Sequence, residues 1–164
     1  MNWTKQILPY VAVMLIQVLI LNQLQLFGIC HPYVFILILI MMPITLPRSA
    51  DMIIGALLGL LMDLFCNSLG VHMAACVLLT CLRRPMISNI VTDESRLNRQ
   101  IDSKTIGQAS FIKYAAVLIV IYHASVVMLS AWSFAHVGFM ISEIVVSSLL
   151  SGLMIIGYDI LRSK

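Results

Sequence analysis

The chain has 164 residues, of which 61% are apolar and only 10% charged, and its mean hydropathy is +1.02. Soluble domains carry roughly a quarter charged residues, so this composition excludes water as the solvent for most of the surface. The formal net charge of +3 comes from ten Lys and Arg against seven Asp and Glu, and the basic residues lack the aromatic interleaving that nucleic-acid binding needs.

Backbone groups in lipid must be bonded within the protein, which leaves helices or a closed barrel. Barrel strands alternate apolar and polar side chains. The runs 34–42 and 117–122 do not alternate, so the expected fold is an all-α integral membrane protein, a single multi-pass domain over residues 1–164.

Six spans are expected in chain order. The first, 7–27, follows Lys5 and is not trailed by a small-residue cleavage site, so it reads as a span and not as a cleaved signal. Gln17, Asn22, Gln23 and Gln25 lie toward its far end. The second, 33–46, covers roughly 21 Å at ~1.5 Å per residue, against a hydrocarbon core of ~30 Å. It and the third, 52–66, form either a re-entrant pair or two short spans. A re-entrant pair would sink Arg48 and Asp51 at a cost of ~2.5–3.5 kcal/mol each, which favours two short spans whose joint reaches the headgroups. Pro43 and Pro47 end the second helix. The fourth span is 69–91.

A polar cytoplasmic loop follows at 92–110, with Asp93, Glu94, Arg96, Arg99, Asp102 and Lys104. Leu97 and Ile101 are four apart, so the loop is either a short amphipathic helix on the membrane surface or a plain solvated segment. The fifth and sixth spans are 111–132 and 137–161.

Charge orients these spans. With both termini cytoplasmic, Lys5, Arg48, Arg83, Arg84, Arg96, Arg99, Lys104, Lys113, Arg162 and Lys164 all fall on the inner side, as the positive-inside rule requires. Arg83, Arg84, Arg96 and Arg99 then form a cytoplasmic basic face. The cysteines are Cys30, Cys66, Cys76 and Cys81, without Cys-x-x-Cys spacing. Cys30 and Cys66 share the outer side; they either pair or act as buried thiols that pack as small hydrophobes.

The polar residues inside the spans gather in the outer half. Residues 63–72 read D-L-F-C-N-S-L-G-V-H. Asp63 and Asn67 are four apart and share a helix face. Ser68 is placed to cap the fourth helix, Gly70 permits an unusual backbone angle, and His72 lies one turn further on. This group is either a structural cap on exposed helix ends or, because intramembrane acids mark function by default, a site. Glu143 is the second such acid, followed at four-residue steps by Ser147 and Ser151, with Ser148 and Gly152 beside them. Gly55 and Gly59 make another small-residue face, and the two stripes are candidates to pack together, within the fold or against a partner.

His31, His72 and His136 also fall on the outer side, with His123 past the middle of the fifth span. No two are at the i, i+4 spacing of a helical metal site, so no metal is expected. There is no nucleophile elbow, phosphate loop, His-Glu-x-x-His or dinucleotide fingerprint, so neither an enzyme nor a cofactor is expected. Two functional classes fit the residues: a scaffold that docks other membrane proteins, or a small-molecule capture subunit of a transporter.

The order of features resembles the rod shape-determining protein MreD family over nearly the whole chain. The similar positions are Asn22, Phe27-Gly28, His31-Pro32-Tyr33 and Pro43; then Gly59, Asp63, Asn67, Leu69-Gly70 and His72; then Leu82-Arg83, Pro85, Gly107, Phe111 and Lys113-Tyr114. The hairpin at 63–72 is the most specific part, and Glu143 is not carried by the resemblance. The resemblance implies a non-enzymatic component of the bacterial inner (cytoplasmic) membrane that serves lateral wall elongation. Its implied partners are MreC, the filament protein MreB, and RodA with its class B transpeptidase, together with membrane lipid. It also implies a fold similar to the substrate-capture subunits of energy-coupling-factor transporters. The docking role expected from it places MreC on the outer polar cluster and MreB or anionic lipid on the basic face.

Overall fold

The computed structural model describes residues 3–22, 31–43, 46–90, 101–131 and 137–163, and within them the chain is all helical, with no strand. Helix α1 (Trp3–Ile16) contains Pro9 and passes into a π-helical turn, Gln17–Leu21. Helices α2 (Ile36–Met41), α3 (Arg48–Cys66) and α4 (Val71–Ile90) follow. The one-turn α5 (Ser103–Ile106) precedes the two long helices α6 (Gln108–Ser130) and α7 (Val137–Ser163).

Three of these, α3, α6 and Val137–Arg162 of α7, are long and apolar enough to cross a membrane, and Pro9–Leu21 is a shorter apolar helix. Their outward faces expose Leu19, Leu57, Leu64, Leu149 and Leu153, whereas Gln17, Asp51, Asp63, His72, Arg83, His123 and Asp159 are buried. An apolar outer surface with the polar side chains drawn into the interior suits a lipid solvent and would be unstable against water.

The second expected span departs furthest from 33–46. Only Ile36–Met41 is helical, about 9 Å long at ~1.5 Å per residue and too short to cross a bilayer. The cause is local: Met42, ahead of Pro43, is extended at ψ 135°, since proline disfavours the helical region for the residue before it. The helix that remains is buried on every side but that of Ile38, which is partly exposed. Ile36, Leu37, Leu39, Ile40 and Met41 have no exposed surface, and they join Met62, Leu79, Phe111, Tyr114, Leu118 and Ile155 in the core.

Around α2, the helices α3, α4, α6 and α7 pack side by side in chain order, with α2 threaded against α4 and α6. The closest approach is between α3 and α4, where Gly59 faces the backbone of His72 and Met73, and Gly55 faces Cys76 and Thr80. The glycine face therefore serves the α3–α4 hairpin and does not meet the serine stripe of α7. In the polar loop, α5 is capped by Asp102, whose Oδ1 accepts from the Thr105 amide at 2.8 Å and the Thr105 hydroxyl at 2.7 Å. Leu97, Arg96 and Arg99 lie outside the described residues.

Candidate functional site

Polar side chains occupy two levels, one at each end of α2. At the level of the α3–α4 turn, Asp63 is the organising group. Its Oδ1 accepts from the Ser68 hydroxyl at 2.5 Å and the His72 amide at 2.9 Å, and its Oδ2 accepts from the Met73 amide at 2.9 Å. His72 and Met73 are the second and third residues of α4, whose first-turn N–H groups have no partner within the helix. Asp63 thus caps α4 from α3, with its negative charge at the positive end of the helix dipole. Ser68 is not the cap that its position suggests; it donates to the capping carboxylate instead. Asn67 closes α3 in the left-handed region at φ 53°, its side chain exposed, and Gly70 turns the chain at φ +82°. Of the two readings of 63–72, the geometry is that of a structural cap.

Behind the cap lies a cage of rings. His72 Nδ1 is 2.7 Å from the Tyr122 hydroxyl. The Tyr33 ring centroid is 4.9 Å from that of His72 and 5.6 Å from those of both Tyr122 and His123, in the tilted and edge-to-face range that aromatic pairs favour. His123 Nδ1 is 2.8 Å from the Ile119 carbonyl, and its Nε2 is 3.3 Å from Ser151 Oγ. Because a carbonyl only accepts, Nδ1 carries the proton, and a neutral ring then accepts at Nε2 from the Ser151 hydroxyl.

The segment 31–35 is held in place by side chains. Gln17, fully buried on the π-helical turn, donates to the Pro32 carbonyl at 3.0 Å, and its Oε1 accepts from the amides of Val34 at 2.7 Å and Phe35 at 3.3 Å. From the other side, Ser147 Oγ accepts from the His31 amide at 3.1 Å and Ser151 Oγ from the Tyr33 amide at 2.9 Å. The serine stripe of α7 is therefore a docking rail for extended backbone, which sequence spacing could not reveal because the partner lies more than a hundred residues away. Asn22 ties the end of the π turn to α3, donating to the Phe65 carbonyl at 3.4 Å and accepting from the Cys66 thiol at 3.2 Å. Cys66 is a free thiol, as are Cys76 and Cys81; Cys30 and His136 lie outside the described residues.

Glu143, one turn before Ser147, opens onto a cavity of about 370 Å³ lined by His31, Tyr33, Ser130, Val127, Phe139 and Met140 among others. Glu143 is half-buried, and Asp51 with Arg84 makes the ion pair found among the described residues.

The second polar level, at the other end of α2, was not expected as a site. Asp51 has no exposed surface and pairs with Arg84 Nε at 2.7 Å. Arg83, also fully buried, donates to the Met42 carbonyl, and Arg84 donates to the Leu46 carbonyl. Both guanidiniums thus pin the proline-bounded segment between α2 and α3. The basic face expected at Arg83 and Arg84 is turned inward, fully for Arg83 and partly for Arg84, and pairing with Arg84 offsets part of the desolvation cost of the buried Asp51 carboxylate. Arg48 stays exposed and donates to Cys81 Sγ at 3.1 Å. Asp51→Asn and Arg84→Met should each lower stability by about 2 kcal/mol, with the double substitution costing less than the sum. Equilibrium unfolding in mixed micelles measures this, and strictly additive losses would show that the pair is not coupled.

Among the described residues, no three His, Cys, Asp or Glu side chains converge as metal ligands. The class that fold and site define is an all-helical protein fitted to a membrane, with a capped hairpin, a buried aromatic–histidine cage and a small cavity beside an acid. Comparison of the chain with protein-family models, with curated proteins and with solved structures finds no match.

Proposed function

We propose that the chain is a non-enzymatic scaffold of the bacterial cell-elongation complex, in the manner of the MreD family that its sequence resembles. It would cross the inner membrane six times with both termini cytoplasmic, the second crossing being made by the segment that contains the short α2, sheltered from lipid by the neighbouring helices. On this reading it docks MreC at the outer end and links it to MreB, RodA and the class B transpeptidase. The observation that carries the docking role is the contrast between two acids. Asp63 is consumed by three internal hydrogen bonds, whereas Glu143 borders an open cavity with His31 and Tyr33. The contact surface therefore centres on Glu143, and Asp63 shapes it from behind. On the cytoplasmic side, the charges exposed to MreB or anionic lipid among the described residues include Arg48, Lys104, Lys113 and Arg162.

Co-purification of MreC with Glu143→Ala tests the reading. Recovery should fall several-fold at unchanged expression and thermal stability; undiminished recovery would remove Glu143 from the interface. The second reading, a small-molecule-binding subunit of a transporter, draws on the same cavity, whose volume lies within the ~300–1,000 Å³ of ligand pockets. An organic ligand retained stoichiometrically through purification would favour it.

A further inference from the structure

A half-buried carboxylate in a lipid-solvated protein needs a counter-charge or a set of donors. The chain supplies no Lys or Arg between Lys113 and Arg162, or between Lys5 and Arg48, so none comes from α7 ahead of its last turn, from the body of α6 or from the 31–35 segment that face Glu143. The described basic side chains sit at the opposite end of the bundle: Arg83 against Met42, Arg84 against Asp51, and Lys104 and Arg162 beside Asp159. Glu143 is thus an acid at one end of a bundle whose described Lys and Arg side chains are at the other.

The cavity beside it is amphipathic. Val126, Val127, Phe139 and Met140 form its apolar part, and Glu143, His31, Ser130 and the Tyr33 ring form its polar part. It sits within the first two turns of α7 and the last two of α6. Two turns of helix rise about 11 Å, so the cavity lies close to where two long apolar helices end, which is the depth of lipid headgroups if these helices span the bilayer as proposed. The serine rail fixes this segment against α7, holding the His31 amide at Ser147, one turn beyond Glu143, and the Tyr33 amide at Ser151, two turns beyond it.

We propose that this cavity is a binding site for the ammonium headgroup of a phosphoethanolamine lipid. The carboxylate of Glu143 accepts from the ammonium, which also lies against the face of Tyr33. The His31 ring and the Ser130 hydroxyl offer donors to the phosphate, and the valines with Phe139 cover the start of the acyl chains. The assignment stands on the cavity and its charges, and does not depend on the family reading.

The test is native mass spectrometry of the purified full chain, exposed to equal amounts of palmitoyl-oleoyl phosphatidylethanolamine and the matching phosphatidylglycerol. The unsubstituted protein should retain the ethanolamine lipid several-fold over the glycerol lipid. Glu143→Gln should bring the ratio close to one, and Glu143→Asp should keep part of the preference. Equal retention by the unsubstituted protein, or a preference untouched in Glu143→Gln, would overturn the proposal. Soluble phosphoethanolamine binding as tightly as the lipid would reassign the cavity to a soluble amine and overturn it equally. Should Glu143→Gln fail to fold, Ala131→Cys, at a lining position with no part in holding the headgroup, gives an independent readout once labelling of the parent chain is subtracted. Maleimide labelling at that position should be several-fold slower in vesicles containing phosphatidylethanolamine than in pure phosphatidylglycerol vesicles, and equal rates would sink the idea.

Discussion

Asp63→Ala should lower the stability of the folded chain by about 3 kcal/mol, because it strands two first-turn amides of α4 and the Ser68 hydroxyl in one step. The carboxylate accepts at 2.5–2.9 Å from all three donors and is 4% exposed, so water cannot replace it without opening the hairpin. Asp63→Asn keeps the shape but has one accepting oxygen in place of two and no charge at the helix end. Its loss should be about half as large. Thermal unfolding in detergent, followed by helical circular dichroism, measures both. Equal stability of Asp63→Ala and the unsubstituted protein would mean that the cap is not formed in the membrane. The consequence for function is indirect. His72 is both a capped residue and the partner of Tyr122, so fraying the first turn of α4 loosens the cage that supports Tyr33 and, through it, the Glu143 cavity.

The second large effect is expected at Gly59. A Cβ there would fall 2.5 Å from the His72 carbonyl oxygen and 2.5 Å from the Met73 Cα. Both are backbone atoms that cannot rotate away, so Gly59→Ala must push α3 and α4 apart, at about 2–3 kcal/mol. Gly55→Ala should cost less, since the nearest atom is the Thr80 methyl at 2.7 Å, with the Cys76 carbonyl at 3.1 Å. Gly152→Ala is the control: its nearest neighbour, Ile119 Cδ1, is 3.9 Å away, and alanine gains up to ~1 kcal/mol of helix propensity over glycine. The order Gly59, Gly55, Gly152 in thermal stability is the checkable result. A Gly152 variant as damaged as the Gly59 one would show that general helix crowding, and not the α3–α4 contact, sets the loss.

Much of this was legible in the sequence because membrane solvent leaves few options. Low charge and unbroken apolar runs implied helices, and the bounds expected for the third, fifth and sixth spans lie within a few residues of α3, α6 and α7. The 63–72 motif was legible as a helix turn because Asn, Ser and Gly each have a local backbone reason to be there. The donors of the cap were less so: Ser68 and Asp63 can each accept from helix amides, and only their relative placement decides that Asp63 does so while Ser68 donates. The 33–46 segment misled because its apolar run is typical of a lipid-facing helix, whereas its flanking prolines leave a six-residue helix that the rest of the protein surrounds. Arg83 and Arg84 misled for a related reason. A charge count locates them at the cytoplasmic end, but it cannot see that Asp51 and two backbone carbonyls draw them inward.

By itself, the sequence determined the apolar, helical class and the segregation of Lys and Arg from Asp63 and Glu143 along the chain, since these follow from the transfer cost and order of each residue type and need no knowledge of neighbours. Only the tertiary structure decided what each polar group does, because hydrogen bonds of 2.5–3.5 Å depend on which distant segments meet. Gln17 and the serines of α7 became clamps for residues 31–35, and Asp63 became the cap of another helix. Glu143, on the same helix face as those serines, was left beside a cavity that, among the described residues, has His31 but no Lys or Arg in its lining.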